Sequence, residues 1–347
     1  MHSSESKKKM KSKVFLFLLF SFLFHCIAHP QGTENFGILF YNVENLFDIK
    51  DDPLTADDEF TPGGDRHWTI KRFNEKINNL SKVILSANGW NPPGMIGLCE
   101  VENRYVLEKL CNETPLKNYP YKIIHKDSPD DRGIDVAFLY NEEVFYPLNY
   151  KYYPLVTNDG DTIKSREILL VSGILNGTDT LHLYINHWPS RYSGFLETRA
   201  KRIRAAQQLN RLIAEKLKEN RGAKIVVMGD FNDGPTDESV ANYLIETQQQ
   251  TKALLPMVNL SANVLGTLKY QSQWFTFDQF IVSGSLLNSK NRLTIVAGKA
   301  VAVRLPFLLE QDERYGGLKP YRSFVGYSYN GGFSDHLPVL LKLEIKN

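Results

Sequence analysis

Cysteine is scarce in this chain, with only Cys26, Cys99 and Cys111 among 347 residues. The two thiols beyond the first thirty residues make no disulfide framework; they read as small, buried apolar side chains. No Cys/His cluster stands at ligand spacing, which argues against a structural zinc site. No apolar run reaches the ~20 residues that a membrane-spanning helix needs. Excess charge of either sign is also missing. The chain has 41 Lys and Arg against 39 Asp and Glu. Residues 1–28 hold five of the former and one of the latter, so the remainder carries 36 against 38. A protein held to duplex nucleic acid by charge alone is normally basic, so this balance points to no particular polyanion. Tandem repeats, low-complexity linkers and composition breaks are absent beyond residue 35. One continuous domain is the simplest organisation, although the length would also fit two small ones.

What the first thirty residues do have is an address. Lys7, Lys8, Lys9, Lys11 and Lys13 precede an apolar run at 14–27 with no acidic, Lys or Arg residue. That is the pattern of an export signal. The small residues Cys26 and Ala28 place cleavage before His29, giving a signal at 1–28 and a domain at 29–347, with Met10 an alternative start. The product is expected in the periplasm or outside the cell. An uncleaved anchor is one alternative. Lipidation of Cys26 is another, ranked below cleavage because His25 is large for a lipobox.

Apolar, β-rich runs lie at 36–41, 95–98, 134–140, 168–175, 181–185, 224–228, 277–282 and 337–343. Several are short and almost continuously hydrophobic, as strands buried on both faces are. Between them, 69–87, 104–111 and 198–217 repeat apolar residues at spacings of three and four, the signature of amphipathic helices. Residues 138–141 followed by 144–146 read as an antiparallel pair. The sum predicts stacked sheets with helices outside.

Six polar segments sit where a strand gives way to a loop, where binding and catalytic residues concentrate. In Gly229-Asp230-Phe231-Asn232 a carboxylate and a carboxamide stand two residues apart, on one side of an extended chain. Asp230 can take a proton from water while Asn232 orients it; the plain alternative is an Asp/Asn/Gly turn. Ser334-Asp335-His336 pairs a carboxylate with an imidazole. Asn42 and Glu44 form another two-residue pair, and Glu100 closes the run at 95–98. A carboxylate at the end of a buried strand is costly unless it is paired or bound to a cation. Such oxygen ligands suit Mg2+, Mn2+ or Ca2+. Finally, Tyr184-Ile-Asn-His-Trp-Pro-Ser-Arg191 and Asp131-Arg-Gly-Ile-Asp-Val136 offer His187, Ser190, Arg191 and Arg132 to an anionic group. For the arginines, a surface ion pair is the competing reading.

Taken in order, these segments resemble the endonuclease/exonuclease/phosphatase superfamily, the DNase I-like fold. The match runs through Asn42, Glu100, His187, Asp230 with Asn232, Asp278 in Phe277-Asp-Gln-Phe280, and Asp335 with His336. The resemblance implies a four-layer α/β sandwich, two mixed sheets face to face with helices on both outer sides. It implies a metal-dependent phosphoester hydrolase. Mg2+ would sit on Glu100 with Glu44, Asn42 or Asp335 nearby. Asp230 and Asn232 would hold the attacking water. His336, oriented by Asp278, would bind a phosphate oxygen, and His187 would assist the leaving group.

His187 stands where apurinic endonucleases generally carry Tyr, closer to the DNase I and lipid-phosphodiesterase branches. Residues 318–332, rich in Tyr, Arg and Gly, would stack on a base or a sugar and bind phosphate through Arg322, or else pack as an ordered surface loop. The acidic stretch 48–67 reads as solvated. The expected activity is therefore an exported, monomeric nuclease-like phosphodiesterase with no stable protein partner. A phosphatase or phosphodiesterase for a lipid or small substrate is the alternative. A non-catalytic binding protein ranks last, because Glu100, Asp230, Asn232, Asp278, Asp335 and His336 are all present.

Overall fold

In a computed structural model of the chain, residues 34–157, 159–192, 194–246 and 256–346 are described. The expected signal, with Cys26, lies outside them. Residues Asn35–Ile345 form one unit. Its apolar runs become strands of two six-stranded mixed sheets. The first contains β1 (Glu34–Leu46), β2 (Met95–Val101), β3 (Tyr121–His125), β4 (Asp135–Asn141), β13 (Leu293–Ala302) and β18 (Val339–Ile345), in the order β13-β18-β1-β2-β4-β3. The second contains β5 (Phe145–Tyr153), β6 (Ile168–Leu175), β7 (Asp179–His187), β8 (Lys224–Asp230), β9 (Met257–Asn259) and β12 (Asp278–Ser283), in the order β5-β6-β7-β8-β12-β9. Three small hairpins pair β10 (Leu268–Tyr270) with β11 (Gln273–Phe275), β14 (Leu309–Gln311) with β15 (Leu318–Pro320), and β16 (Phe324–Val325) with β17 (Ser328–Tyr329).

The near-continuous hydrophobicity of the central strands follows from burial on both faces. In β8, Val226 and Met228 enter the core between the sheets, while Ile225 and Val227 face the helical side. In β1 the split is Ile38 and Phe40 against Leu39, Tyr41 and Val43. The helices α1 (Ile70–Ser86) and α2 (Arg104–Asn112) cover the first sheet, burying Phe73, Ile77, Leu80 and Ile84 from α1. Asn103 caps α2 by accepting from the Val106 N–H at 3.1 Å. Over the second sheet lie α3 (Phe195–Glu219) and a π-helical segment, Ser239–Glu246. Ala205, Leu209, Ile213 and Leu217 of α3 are buried there. The result is helix, sheet, sheet, helix, as the sequence predicted.

One expectation is corrected. Residues 138–141 and 144–146 do not pair, because β4 bonds to β2 and β3 whereas β5 bonds to β6. Asn141 tightens the turn by accepting the Glu143 N–H at 2.9 Å. The chain then changes layer, and Phe145 meets Phe138 edge to face across the sheets with ring centres 5.8 Å apart.

Strand register aligns the chemistry. The parallel pairing of β7 with β8 sets His187 beside Asp230, and the antiparallel pairing of β12 sets Asp278 on its other side. In the first sheet Asn42 lies opposite Cys99, one residue before Glu100.

Candidate active site

The ends of the strands bring one acidic centre together. Asp230 is buried, and its two oxygens are held from different directions. Oδ1 accepts the Asn232 N–H at 2.9 Å, and Oδ2 accepts Asn42 Nδ2 at 3.0 Å. The same Asn42 amide nitrogen donates to Glu100 Oε1 at 3.1 Å, so one carboxamide spans the two sheets. Glu100 is fixed further by the Asn45 N–H, 3.0 Å from Oε2. Asn42 itself is anchored: its side-chain oxygen accepts the Glu44 N–H at 3.0 Å, and its carbonyl accepts Ser334 Oγ at 2.7 Å.

Two buried histidines converge on Asp230. The Nε2 atoms of His187 and His336 each lie 3.8 Å from Asp230 Oδ2, beyond hydrogen-bond reach. His187 Nε2 is also 3.9 Å from Glu100 Oε1. Behind His336, Asp278 Oδ2 sits 2.7 Å from Nδ1 and accepts the Thr267 hydroxyl at 2.5 Å. Ligand atoms of Asp230, Asp278 and His336 all lie within 4.8 Å of one another, a spacing a metal would fit. The His336–Asp278 contact has the length of an ordinary charge-assisted hydrogen bond.

The surroundings push the two imidazoles apart. Burial lowers the His187 pKa well below the ordinary range, and the charges of Arg166, Arg132 and His336 add to this. Burial acts the same way on His336, but the carboxylates of Asp278 and Asp230 outweigh it and raise its pKa well above the ordinary range. One imidazole is therefore neutral and the other cationic at neutral pH. Burial also raises the Asp230 pKa, making it a stronger base than a solvated aspartate.

Glu44 and Asp335 form the other wall. Burial, then repulsion from Asp335, raises the Glu44 pKa. Such a carboxylate gains from an added positive charge, and with Glu100 and Asp335 the donor set is all oxygen. That fits a hard divalent cation. Lys76, buried beneath this wall, donates to Ser323 Oγ at 2.5 Å and the Phe333 carbonyl at 2.6 Å. Burial lowers its pKa to about 8. The backbone is bent here too: Glu44, Asn45, Glu100 and Asn232 have φ of 53°, 55°, 63° and 51°. Left-handed conformations at non-glycine residues cost about 1–3 kcal/mol each and cluster at functional sites.

Four expected phosphate donors are placed differently from one another. Arg322 donates to Glu44 Oε1 at 3.2 Å and Asp335 Oδ2 at 3.1 Å, so its charge is committed to the carboxylate wall. Arg191 donates to the Asn232 carbonyl at 2.7 Å, Asp233 at 2.6 Å and Asp237 at 2.5 Å. It props the turn that carries Asn232, and in the structure its charge is engaged by those carboxylates, the ion-pair alternative. Arg132 is exposed with Asp130 at 3.6 Å, and Ser190 is partly exposed. In 318–332, Tyr329 and Phe324 pack against Trp68, the ordered-loop alternative, and Tyr327 is exposed. The acidic stretch 48–67 is less solvated than expected, because Asp48 and Asp57 are buried. Sequence reading missed Thr267 and Lys76, which carried no local signal. It also missed Arg166, whose signal was the polar triplet Ser165-Arg166-Glu167 before an apolar strand.

The model described as the Endonuclease/Exonuclease/phosphatase family matches residues 37–345. None of the curated proteins matches the sequence. Among solved structures, an endonuclease/exonuclease/phosphatase family protein from Bacteroides thetaiotaomicron aligns over 91% of this chain and 100% of its own. The identity is 15% and the TM-score 0.56. The mannosyl-6-phosphatase of the same organism aligns over 89% of this chain and 99% of its own, at 15% identity and TM-score 0.55. A humanized D. rerio TDP2 with 14 mutations covers 89% and 98%, at 16% identity and TM-score 0.52. At such identities these likenesses carry the two-sheet fold and nothing finer.

Proposed function

The chain belongs to the endonuclease/exonuclease/phosphatase family, whose members hydrolyse phosphoesters, and from that premise we propose that it is a divalent-metal-dependent phosphodiesterase acting on nucleic acid. The observation that supports the hydrolase reading most directly is the pair of buried histidines, one neutral and one cationic, aimed at a single carboxylate. Groups with pKa values driven apart in one site are the mark of divided acid and base roles.

Glu100, Glu44 and Asp335 would hold the cation, with Asn42 beside them. Bound there, Mg2+ (or Mn2+ or Ca2+) supplies positive charge against the phosphoryl oxygens. The protein's own groups do the rest. Asp230, desolvated and held by two N–H donors, takes the proton of the attacking water. Asn232, whose amide is oriented by a 3.0 Å bond to the Trp188 carbonyl, positions that water. His336 donates a charged hydrogen bond to a non-bridging oxygen, and Asp278 keeps it protonated and aligned. His187, neutral and facing the same space, supports the leaving oxygen. Positioning and charge placement of this kind are what in-line phosphoryl transfer requires.

For a nucleic-acid substrate the supporting feature is the exposed cation Arg132 near His187. A second reading, a small or lipid phosphoester, is favoured by the acidic side of the site. The loop that follows Glu44 and Asn45 exposes Asp51, Asp52 and Asp58, whose charges would oppose a long polyanion. The test is to incubate the protein with plasmid, RNA, sphingomyelin and a phosphate monoester, with Mg2+ and with chelator. Chelator-insensitive hydrolysis, or equal rates for wild type and Asp230→Ala, sinks the mechanism. Intact plasmid and RNA with cleaved sphingomyelin or monoester select the second reading. Export remains part of the proposal, resting on the Lys-rich and apolar pattern of residues 7–27; an N-terminus other than His29 on the mature protein would count against the signal boundary.

A further inference from the structure

A cavity of about 330 Å³ opens beside His187, lined by Arg132, Lys164, Ser165, Arg166, Ser190 and Lys201 among others. Its lining is rich in donors. The one carboxylate, Asp131, already pairs with Lys164 at 3.0 Å. Lys201 is exposed with no ion-pair partner among the described residues, and Arg132 has only Asp130 at 3.6 Å. Two buried polar atoms lack partners there, Ser165 Oγ and Arg166 Nε. Arg166 is only 5% exposed, with Nη1 bonded to Asp130 at 2.7 Å and Nη2 to the Trp188 carbonyl at 2.7 Å. Buried donors without acceptors are costly, and a site that collects them suits a ligand made of acceptors.

The cavity adjoins the reacting centre. Ser190 is three residues past His187, so their Cα atoms are at most ~11 Å apart. The Trp188 carbonyl that receives Arg166 also receives Asn232. After burial, Arg166 and Arg132 are the next causes of the lowered His187 pKa, so their field reaches the centre.

We propose that this cavity is a second phosphate subsite, which binds a phosphate of the substrate other than the one being cleaved. The inference rests on the phosphoesterase reading above and narrows its substrate to compounds with at least two phosphates. Guanidinium, ammonium and hydroxyl donors around one space match the oxygens of a phosphate group.

The test compares kcat/KM for thymidine 5′-(p-nitrophenyl phosphate) with and without a 3′-phosphate. Wild type should prefer the 3′-phosphorylated ester about tenfold, the value of one charge-assisted hydrogen bond. Lys201→Glu should collapse that ratio, and Lys201→Arg should keep it. A ratio near one in wild type, or one that survives Lys201→Glu, overturns the subsite. If neither ester is cleaved, the nucleic-acid phosphodiesterase reading falls separately. The subsite is then judged by calorimetry, requiring the same preference for thymidine 3′,5′-bisphosphate over the 5′-monophosphate and the same loss in Lys201→Glu. Tetrathymidylate and fructose 1,6-bisphosphate as competitors separate a strand from a small bisphosphate: the true source loses inhibition in Lys201→Glu, and no inhibition by either refutes the proposal.

Discussion

Replacing Asp278 by Asn tests the charge logic of the site with one atom exchanged. The Asp278 carboxylate is fully buried and 2.7 Å from His336 Nδ1, and it is the leading cause that raises the His336 pKa against the effect of burial. An amide keeps the shape and still offers an oxygen to Nδ1–H, but removes the negative charge. The His336 pKa then moves down, toward the ordinary value of about 6.5. Above that pH the imidazole is neutral and its charged hydrogen bond to the phosphoryl oxygen is lost. Such a bond is worth about 1.5–3 kcal/mol, so kcat/KM at pH 8.5 should fall about 10- to 150-fold. The gap should narrow as the pH drops toward 6 and the proton returns. The same sign holds for stability. A raised histidine pKa contributes stability fully present below the ordinary value and lost as pH rises through the raised one, and the variant lacks that contribution. The assay is steady-state hydrolysis of bis(p-nitrophenyl) phosphate with Mg2+ from pH 5 to 9.5 at fixed ionic strength. An alkaline limb at the wild-type position in Asp278→Asn would refute the assigned role of the pair.

Other substitutions probe other parts. Asp230→Ala should lower kcat by about 10²- to 10⁴-fold, the range for a positioned general base; a decrease below tenfold would exclude it from proton transfer. Mg2+ at 100 times its dissociation constant should stabilise the protein by about 2.7 kcal/mol. Thermal melts of Glu44→Gln should show most of that gain gone, and an undiminished gain would place the cation elsewhere. Arg202, fully buried in α3, pairs with Asp233 at 2.8 Å beneath the Asn232 turn. Because Arg191 stays on Asp233, Arg202→Met should cost near the low end for a broken buried pair, about 3 kcal/mol. An unchanged denaturation midpoint would show the pair to be dispensable.

The layers and the central strands were legible because burial on both faces writes itself as an apolar run, although most strand ends lay one to five residues from the expected bounds. Residues 168–175 were delimited to the residue. The helices were legible from period alone, although α3 begins three residues before the expected position, at Phe195. What local pattern does not encode is which sheet a strand joins, and the turn at Asn141–Val144 showed this when β5 left β4 for the opposite layer. Nor does it encode distant partners. Arg322 and Arg191 read as phosphate donors, and the sequence did not name their partners, because the carboxylates that claim Arg322 at Glu44, and Arg191 at Asp237, lie 278 and 46 residues away. The left-handed backbone at Glu44 and Glu100 was equally invisible, since neither residue type favours it.

The row His187, Asp230, Asp278 has a mechanical consequence. These residues are rungs of three adjacent strands, so their spacing is the ~4.8 Å repeat of the sheet itself rather than the outcome of loop packing. A ruler of that kind does not stretch when surface segments exchange length or composition. The loops can be rebuilt for new ligands while the reacting groups keep their separation. The row fails only when the ladder between β7, β8 and β12 comes apart.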